Sequence, residues 1–360
     1  MNKLKNIDFI LIITVLSIII FGIIMIYSAS FKGEGIPTEV RRQIIFFFIG
    51  IISMSFMITI DYDFWGKSRW HIYIFTILLL IFVLLKGDNI RGAQSWITLG
   101  SLGRFQPSEL AKLAIIITLA KTLSLNEEKI NKINVVIKIG LHVGIPILLI
   151  ILQPDMGTSL VLITIVFTML FCTGVNPLYL MGVIILSGGI MPFFLKEYQW
   201  KRLTVFINAH QDPTGAGWNI IQSQIAVGSG QILGKGYLAG TQSHLNFVPE
   251  NTTDFIFSVI GEEFGFIGCT LLLGGYFLII WKGINIARTA KDTFSTLMAI
   301  GIIAMFMSHI LENIGMNIGI MPITGIPLPF VSVGGSSLIT NMMAIGLLLN
   351  IKSKSQRTLF

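Results

Sequence analysis

Residues 9–26, FILIITVLSIIIFGIIMI, contain no charged side chain and follow two lysines near the start of the chain. A helix needs about 20 mainly apolar residues to cross the hydrocarbon core of a bilayer, and this run has that length. It is longer than the apolar core of a cleavable signal peptide, which has about 7–15 residues. Since further apolar runs follow, we interpret residues 9–26 as an uncleaved first membrane span.

The composition of the whole chain agrees with this interpretation. The 360 residues are 53% hydrophobic and 12% charged, and their mean hydropathy is +0.80. Soluble domains carry about 25% charged residues, so a soluble globular enzyme and a disordered chain are both excluded. The formal net charge of +7 is attributed to topology and anionic lipid headgroups, with no nucleic acid partner. Cys172 and Cys269 lie in apolar segments, so neither a disulfide framework nor a cysteine metal site is expected.

The apolar runs predict an all-α, polytopic integral membrane protein with about ten transmembrane helices, forming a single domain over residues 1–360. The predicted spans cover residues 8–28, 43–60, 71–86, 106–124, 135–152, 157–173, 177–195, 254–281, 293–317 and 335–351. About fourteen Lys and Arg residues fall in the short loops of one side and about six in those of the other. Both termini are therefore predicted to be cytoplasmic.

One loop on the predicted outer side, about residues 196–253, is much longer than the others. Loops beyond about 15 residues are usually functional or disordered. This loop contains Trp200, Trp218, Phe247 and the apolar run 220–227, so we expect it to be ordered. We predict an interfacial or re-entrant helix near residues 216–227, followed by a glycine-rich turn.

A first cluster of polar residues is predicted at the outer boundary of the fourth span. Residues 91–96, RGAQSW, lead through Arg104 to residues 106–112, QPSELAK. Pro107 suits a first helical turn, which places Glu109 and Lys112 inside the span on neighbouring faces. Ionisable groups inside a span are costly and usually mark function. The alternative is an ion pair near the surface, with Lys112 reaching outward to water.

Two further clusters lie at predicted outer turns. Asp155, in residues 153–157 (QPDMG), could cap the following span. Glu250 precedes the long span 254–281 and Asp254 opens it; Asp254 could likewise cap that helix and suit its dipole. Glu262 and Glu263 fall about two turns deeper, which is expensive unless they face a partner or a cavity.

Residues 228–236, GSGQILGKG, superficially resemble a nucleotide-binding loop. They fail as a P-loop because Ser229 stands where the first glycine is required and Gly236 replaces the Ser/Thr after the lysine. No nucleotide cofactor is therefore expected. The histidines show no ligand spacing, so no histidine metal site is predicted.

Together the clusters resemble the SEDS family (shape, elongation, division and sporulation), whose members are RodA, FtsW and SpoVE. The resemblance is carried by residues 313–319 (NIGMNIG), 322–329 (PITGIPLP) and 330–337 (FVSVGGSS). Residues 240–250, GTQSHLNFVPE, resemble RodA more than FtsW. Val333 and Gln231 depart from the family pattern, and a local packing change is expected at Val333.

The resemblance implies a peptidoglycan glycosyltransferase of the bacterial cytoplasmic membrane that extends glycan strands from lipid II during elongation. It implies a class B penicillin-binding transpeptidase and elongation-complex proteins as partners. The essential aspartate of the family corresponds to Asp254, expected to be a general base. The expected substrate-binding residues are Trp96, Arg104, Glu109, Lys112, Asp155 and Glu250. Mg²⁺ or Mn²⁺ is an expected aid to the departing pyrophosphate.

Two other function classes fit part of the pattern. A lipid II flippase would use buried charges in a many-span bundle equally well. However, the clusters gather near one face, and a transporter needs a path to both. A non-catalytic scaffold for a transpeptidase explains the apolar bulk of the chain but not the intramembrane Glu109 and Lys112.

Overall fold

The computed structural model describes residues 8–31, 33, 35–90, 93–98, 100, 103–182, 197–208, 215–245 and 247–355. Helices dominate this part of the chain, so the all-α prediction is confirmed. In chain order the helices are α1 (Phe9–Ser30), α2 (Thr38–Thr59), α3 (Tyr62–Lys67), α4 (Arg69–Lys86), α5 (Pro107–Ser124), α6 (Ile133–Leu152), α7 (Met156–Cys172), α8 (Glu197–Ile207), α9 (Ala216–Ser229), α10 (Thr241–His244), α11 (Ile256–Arg288), α12 (Thr293–Asn317) and α13 (Gly335–Lys354).

Nine of the ten predicted spans coincide with helices in the described ranges: α1, α2, α4, α5, α6, α7, α11, α12 and α13. Six of these, α1, α2, α4, α6, α11 and α12, are long and apolar enough to cross a membrane, and α7 is a shorter apolar helix. The predicted span 177–195 is helical over residues 177–182, and its remainder lies outside the described residues. The total of ten spans therefore stays a prediction.

The helices differ in how much lipid they face. Of the 18-residue apolar stretch of α12, 78% is buried inside the protein, whereas the corresponding share in α4 is 17%. Phe75 and Leu78 of α4 are 61% and 60% exposed, which suits a lipid environment and would be a liability in water. Helix α5 is buried along most of its length, which keeps Glu109 and Lys112 away from lipid. The protein is thus a multi-pass membrane protein with α5 and α12 at its centre.

Because successive spans alternate in direction, two ends of the bundle are defined. The loop end carries the last residues of α1, α4, α6 and α12 and the first residues of α2, α5, α7, α11 and α13. Hydrogen bonds across it join distant segments: Asn251 Nδ2 donates to Ala29 O at 3.2 Å, and Val333 N donates to Thr252 O at 2.9 Å. The opposite end carries the last residues of α2, α5, α7 and α11 and the first of α4, α6 and α12.

A small antiparallel sheet at the loop end was not predicted. Strands β1 (Asp88–Ile90), β2 (Ala93–Thr98) and β3 (Arg104–Phe105) pair in the order β1-β2-β3. Gln94 N donates to Gln153 O at 3.2 Å, which ties the sheet to the turn between α6 and α7. The sheet thereby fixes the segment that leads into α5.

The helix predicted near residues 216–227 is confirmed as α9. Ser223, on its buried face, is within 2.5 Å of Ser258 Oγ in α11 and donates to Asn317 O in α12 at 2.7 Å. Trp218 Nε1 donates to Phe247 O at 3.1 Å. These contacts hold α9 against the start of α11 and the end of α12.

The glycine-rich residues 230–236 pair with a break in α11. Lys235 N and Gly236 N donate to Glu262 O and Glu263 O, both at 3.0 Å. On the other side of the break, Phe266 N donates to Gln231 O at 2.8 Å. Gly265 has φ +62° and ψ −159° at this break. The glycine-rich segment that resembles a nucleotide-binding loop thus bonds the backbone groups that the kink leaves without partners in the helix.

Gly234 shows why this segment needs glycine. Its φ is +81°, and a Cβ added there would lie 2.1 Å from Glu263 O. Gln231 has a φ of +50°, a left-handed conformation that residues other than glycine seldom adopt. The departure from glycine at position 231 therefore falls at a position where the backbone favours glycine.

Residues 318–334 are largely irregular backbone, exposed or half-buried over most of 318–325 and buried over 328–332. Such backbone is tolerated at membrane depth only where protein groups bond it. Tyr276 Oη donates to Pro329 O at 2.7 Å, and Leu328 N donates to Ser332 Oγ at 2.8 Å. Val333, the second departure from the family pattern, packs partly buried against the main core. This segment closes the loop end beside the turn that carries Asp254.

Candidate functional site

Asp254 lies half-buried in the turn that precedes α11. Helix α11 begins at Ile256 with Phe255 at the cap position and no side-chain cap bond, so the capping interpretation of Asp254 is wrong. The reason is that the chain makes a turn over residues 250–255, in which Phe255 N donates to Glu250 O at 3.2 Å. The Asp254 carboxylate lies against Gly325, since a Cβ added to that glycine would be 3.6 Å from Oδ2.

Two asparagines of α12 hold the backbone of Asp254. Asn313 Nδ2 and Asn317 Nδ2 donate to Asp254 O at 2.9 and 3.0 Å. Asn313 also donates to Ile326 O at 2.8 Å, so it joins the Asp254 turn to the irregular segment 318–334. The turn is therefore fixed through main-chain contacts while its carboxylate lies at the boundary of the bundle.

Asn317 extends this support to α9. Its Oδ1 accepts from Ser258 N at 3.1 Å and from Ser258 Oγ at 2.5 Å. Ser258 in turn contacts Ser223 of α9. Helices α9, α11 and α12 thus meet in one buried polar network beneath Asp254.

Glu109 and Lys112 form an ion pair inside the bundle. Lys112 Nζ lies 2.7 Å from Glu109 Oε1, and the two residues are 1% and 3% exposed. The interpretation in which Lys112 reaches outward to water is therefore wrong. Lys112 Nζ instead contacts His309 Nε2 of α12 at 2.8 Å, which satisfies the amine within the protein.

His309 and Glu312 were missed as site residues. His309 is fully buried and Glu312 is 3% exposed, and Ser308 Oγ donates to Glu312 Oε1 at 2.6 Å. The missed signal is periodic: positions 309, 312, 313 and 317 of an apolar span are polar at helical spacing and so lie along one face. Histidine ligand spacing alone does not reveal this face, because the face mixes residue types.

Arg104 and Trp96 are placed by the small sheet. Arg104 is exposed on β3 and pairs with Thr98 of β2. Trp96 is half-buried on β2 opposite Asp88. Arg104 precedes the start of α5, whereas Lys112 is five residues inside it, about 8 Å deeper at 1.5 Å per residue. The two predicted cations therefore lie at different depths.

Asp155 caps the following helix, which is one of the roles that the sequence suggested. It is the N-cap of α7, and its Oδ1 accepts from Thr158 N at 3.1 Å. Its Oδ2 also accepts from Gln106 Nε2 at 2.8 Å and from Ser108 Oγ at 3.3 Å. Asp155 thus joins the starts of α5 and α7, and a direct contact with substrate stays a prediction.

Glu250 belongs to the same turn as Asp254. Its φ is +54°, and Thr253 N donates to its backbone oxygen at 3.1 Å. Thr253 Oγ1 also donates to Glu250 Oε2 at 3.3 Å. The side chain is therefore engaged within the turn, and binding of substrate by Glu250 stays a prediction.

Glu262 is buried inside a span, where an ionised carboxylate is costly unless it is bonded, and several donors bond it. Its carboxylate accepts from Lys235 Nζ and Gln242 N at 2.8 Å and from Ser243 N at 3.1 Å. Ser243 O accepts from Asn251 Nδ2 at 3.0 Å, three residues before Asp254. Glu262 therefore fixes residues 235–245 against the Asp254 turn.

Glu263 bonds the neighbouring helix α1. Ser28 Oγ donates to Glu263 Oε1 at 2.5 Å, and His244 Nε2 is 3.4 Å from the same oxygen. Tyr237 Oη reaches Ile24 O of α1 at 3.4 Å. Burial is the main cause that raises the pKa of Tyr237, and the negative charge of the Glu263 carboxylate is the second. The hydroxyl therefore stays protonated. The loop is thus joined to α1 as well as to α11.

We expect Glu262→Gln to destabilise the protein by about 1–3 kcal/mol, since an amide would place donor hydrogens against the donors of residues 235–243. Cleavage of residues 235–245 by protease and the thermal unfolding midpoint in detergent check this. The matched control is Glu263→Gln, where fewer donors converge. Equal losses from both variants would contradict the anchoring role of Glu262.

The expected Mg²⁺ or Mn²⁺ has no preformed cage in the described part of the chain, which contains no group of three or more His, Cys, Asp and Glu placed to hold a metal ion. Glu109 is paired with Lys112, and Asp155 is bonded to several donors. The metal stays a prediction from the resemblance, and no step proposed below depends on it.

The fold and site define a class of protein: a multi-pass α-helical membrane protein with a buried Glu109–Lys112 ion pair and, at its loop end, an aspartate whose backbone is held by two asparagines of α12. The family described as "Cell cycle protein", which covers FtsW, RodA and SpoVE, matches residues 8–357. The chain therefore belongs to the FtsW/RodA/SpoVE family, as the sequence motifs indicated.

Individual relatives cover almost the whole chain. Stage V sporulation protein E of Bacillus subtilis is 38% identical over 99% of this chain and 99% of its own length. The peptidoglycan glycosyltransferase MrdB of Escherichia coli is 37% identical over 96% of this chain and 93% of its own. The peptidoglycan glycosyltransferase RodA of Treponema pallidum is 34% identical over 97% and 98%.

Solved structures show the same fold. One chain of the solved structure "Structural coordination of polymerization and crosslinking by a peptidoglycan synthase complex" aligns with a TM-score of 0.81 and 30% identity. The alignment covers 96% of this chain and 97% of that chain. The Thermus thermophilus rod shape determining protein RodA aligns with a TM-score of 0.74 and 27% identity over 96% of both chains. The helical arrangement described above is therefore that of this family.

Proposed function

We propose that the protein is a peptidoglycan glycosyltransferase that extends glycan strands from lipid II at the outer face of the bacterial cytoplasmic membrane. Relatives with near-complete coverage are named peptidoglycan glycosyltransferases. The observation that carries the proposal is the Asp254 turn, fixed through its backbone at a membrane boundary by Asn313 and Asn317. A fixed backbone positions a reacting side chain at low entropic cost.

Asp254 acts as the general base. An acceptor sugar hydroxyl attacks the anomeric carbon of the donor while the carboxylate takes the hydroxyl proton. The new glycosidic C–O bond forms as the C–O bond to the lipid pyrophosphate breaks, and the pyrophosphate leaves with the bonding electrons. A single displacement inverts the anomeric centre from α to β, so no covalent intermediate on the protein is required.

Cationic side chains stabilise the leaving pyrophosphate. Arg104 is exposed on β3 and is available for direct contact. Lys112 is buried against Glu109 and His309, so it acts on the developing charge from below through a medium of low dielectric. Glu109 orients Lys112, and Trp96 on the same sheet as Arg104 offers a face for a sugar ring.

The proposed orientation puts both termini in the cytoplasm and the loop end outside. It is supported by the excess of Lys and Arg in loops of the opposite end, including Lys67, Arg69, Lys129 and Lys132. The structural neighbour belongs to a complex that coordinates polymerization with crosslinking. We therefore propose a class B penicillin-binding transpeptidase as partner and a role in cell elongation.

The apolar part of α5 between Lys112 and the opposite end supports an enzyme and not a flippase. Residues 113–117, 119 and 120 of α5 are apolar and buried, and Thr118 between them bonds His142 of α6. The polar network around Lys112 therefore does not continue along α5 to the opposite end. A transported headgroup would need polar partners across the whole bilayer.

The test is polymerisation of fluorescent lipid II by the purified full chain in lipid vesicles, alone and with its transpeptidase. The expected product is a glycan ladder that a muramidase digests. If no glycan forms under either condition and labelled lipid II crosses the vesicle bilayer, the protein is a flippase. If neither activity occurs while the transpeptidase binds, the scaffold interpretation is correct.

A further inference from the structure

A pocket lies at the opposite end, away from the proposed active site. It occupies about 460 Å³ between the start of α4, the end of α5 and α6. Its polar and aromatic lining consists of Arg69, Trp70, Tyr73, Thr122, Asn126, Lys138 and His142. Nothing in the proposed glycosyltransferase reaction uses these residues.

The wall of this pocket is built around a proline in α6. Pro146 has no N–H, so it cannot donate to His142 O one turn earlier. Tyr73 Oη of α4 donates to that oxygen instead, at 2.9 Å. The Tyr73 and His142 rings stack with centroids 4.3 Å apart, and His142 Nε2 lies 3.0 Å from Thr118 Oγ1 of α5. Three helices are thereby joined into a preformed wall.

The pocket carries positive charge without a carboxylate in its lining. Arg69 and Lys138 contribute the charge, and neither Asp nor Glu is among the lining residues. The Arg69 guanidinium lies 5.5 Å from the centroid of the Trp70 ring. Glu127, next to Asn126 in sequence, is bonded instead to Thr293 Oγ1 at 2.9 Å. An anionic group entering the pocket therefore meets two cations.

The pocket also opens onto the lipid-facing side of α6. Leu141 and Ile145 line it and are 61% and 45% exposed. Trp70, 54% exposed, stands at the start of a span, where aromatic side chains mark the membrane–water interface. The site therefore has a basic head region at the interface that continues into an apolar face within the bilayer.

We propose that this pocket binds an anionic glycerophospholipid of the adjoining leaflet. Its headgroup phosphate lies between Arg69 and Lys138, and an acyl chain lies along Leu141 and Ile145. Basic pockets between transmembrane helices bind acidic lipid headgroups in this way. The site is independent of the proposed glycosyltransferase activity, so either can fail without the other.

The test is native mass spectrometry of the full chain titrated with dioleoyl phosphatidylglycerol or dioleoyl phosphatidylcholine. Each basic side chain near an anionic lipid contributes about 1 kcal/mol, or roughly fivefold in affinity. We expect the wild type to bind phosphatidylglycerol at least tenfold more tightly than phosphatidylcholine. The double variant Arg69→Gln/Lys138→Gln loses this preference.

The matched control is Lys67→Gln/Lys132→Gln, which removes two exposed charges from the same end outside the pocket lining. It retains the preference if the pocket binds the lipid. An equal loss in both double variants, or equal binding of the two lipids by the wild type, overturns the proposal. Displacement of phosphatidylglycerol by inorganic phosphate assigns the pocket to free phosphate and also overturns it. The unfolding midpoints in phosphatidylcholine establish that each variant is folded.

Discussion

Asp254→Asn is expected to leave the protein folded and to lower the rate of glycan polymerisation by about 10²–10⁴-fold, the usual contribution of a general base. The substitution preserves shape, and the backbone contacts of Asp254 with Asn313 and Asn317 do not depend on the side chain. The side chain loses its capacity to accept the proton of the acceptor sugar. The measurement is the initial rate of polymerisation of labelled lipid II by purified variant and wild type.

The matched control for this change is Glu39→Gln, which neutralises an exposed carboxylate near the start of α2 at the same end. We expect it to polymerise at the wild-type rate. A folded Asp254→Asn variant that also works at that rate would remove Asp254 from the role of base. The glycosyltransferase assignment itself would survive, because wild-type polymerisation tests it separately.

The sequence predicted the helices well because each apolar run is a local pattern. An apolar run such as 9–26 is itself enough to predict a membrane span. Pro107 correctly predicted the first residue of α5. Boundaries shifted where polar residues could be accommodated: α2 begins at Thr38 instead of residue 43, since Arg41 and Arg42 remain exposed at the loop end. Helix α9 was also recognisable from one apolar run.

Long-range contacts were not predictable from those patterns. The pairing of residues 230–236 with the break in α11 depends on backbone groups about 30 residues apart. The contact of Lys112 with His309 joins residues 197 positions apart. Family motifs marked Asp254, Glu109 and Lys112 as neighbours in function, but only the fold shows that Lys112 lies deep in the bundle. It also shows that Asp254 is not the N-cap of its helix.

Lys112→Met is expected to cost about 3–5 kcal/mol of stability, because it leaves the Glu109 carboxylate buried without its cation. Methionine fills a similar volume, so the loss reports charge and not packing. The measurement is the unfolding midpoint in detergent. Lys121→Met in the same helix is the matched control, since Lys121 lies over the Phe294 ring at 5.1 Å and a cation–π contact contributes only about 0.5–2 kcal/mol.

The double variant Glu109→Gln/Lys112→Met separates the structural role of Lys112 from its role in the reaction. Removing both charges relieves the unpaired carboxylate, so most of the lost stability should return. Polymerisation should not return, because the positive charge below the leaving pyrophosphate is still absent. If the double variant regains both stability and the polymerisation rate, Lys112 serves only to hold α5 against α12. The leaving-group charge would then be stabilised from the surface, by Arg104.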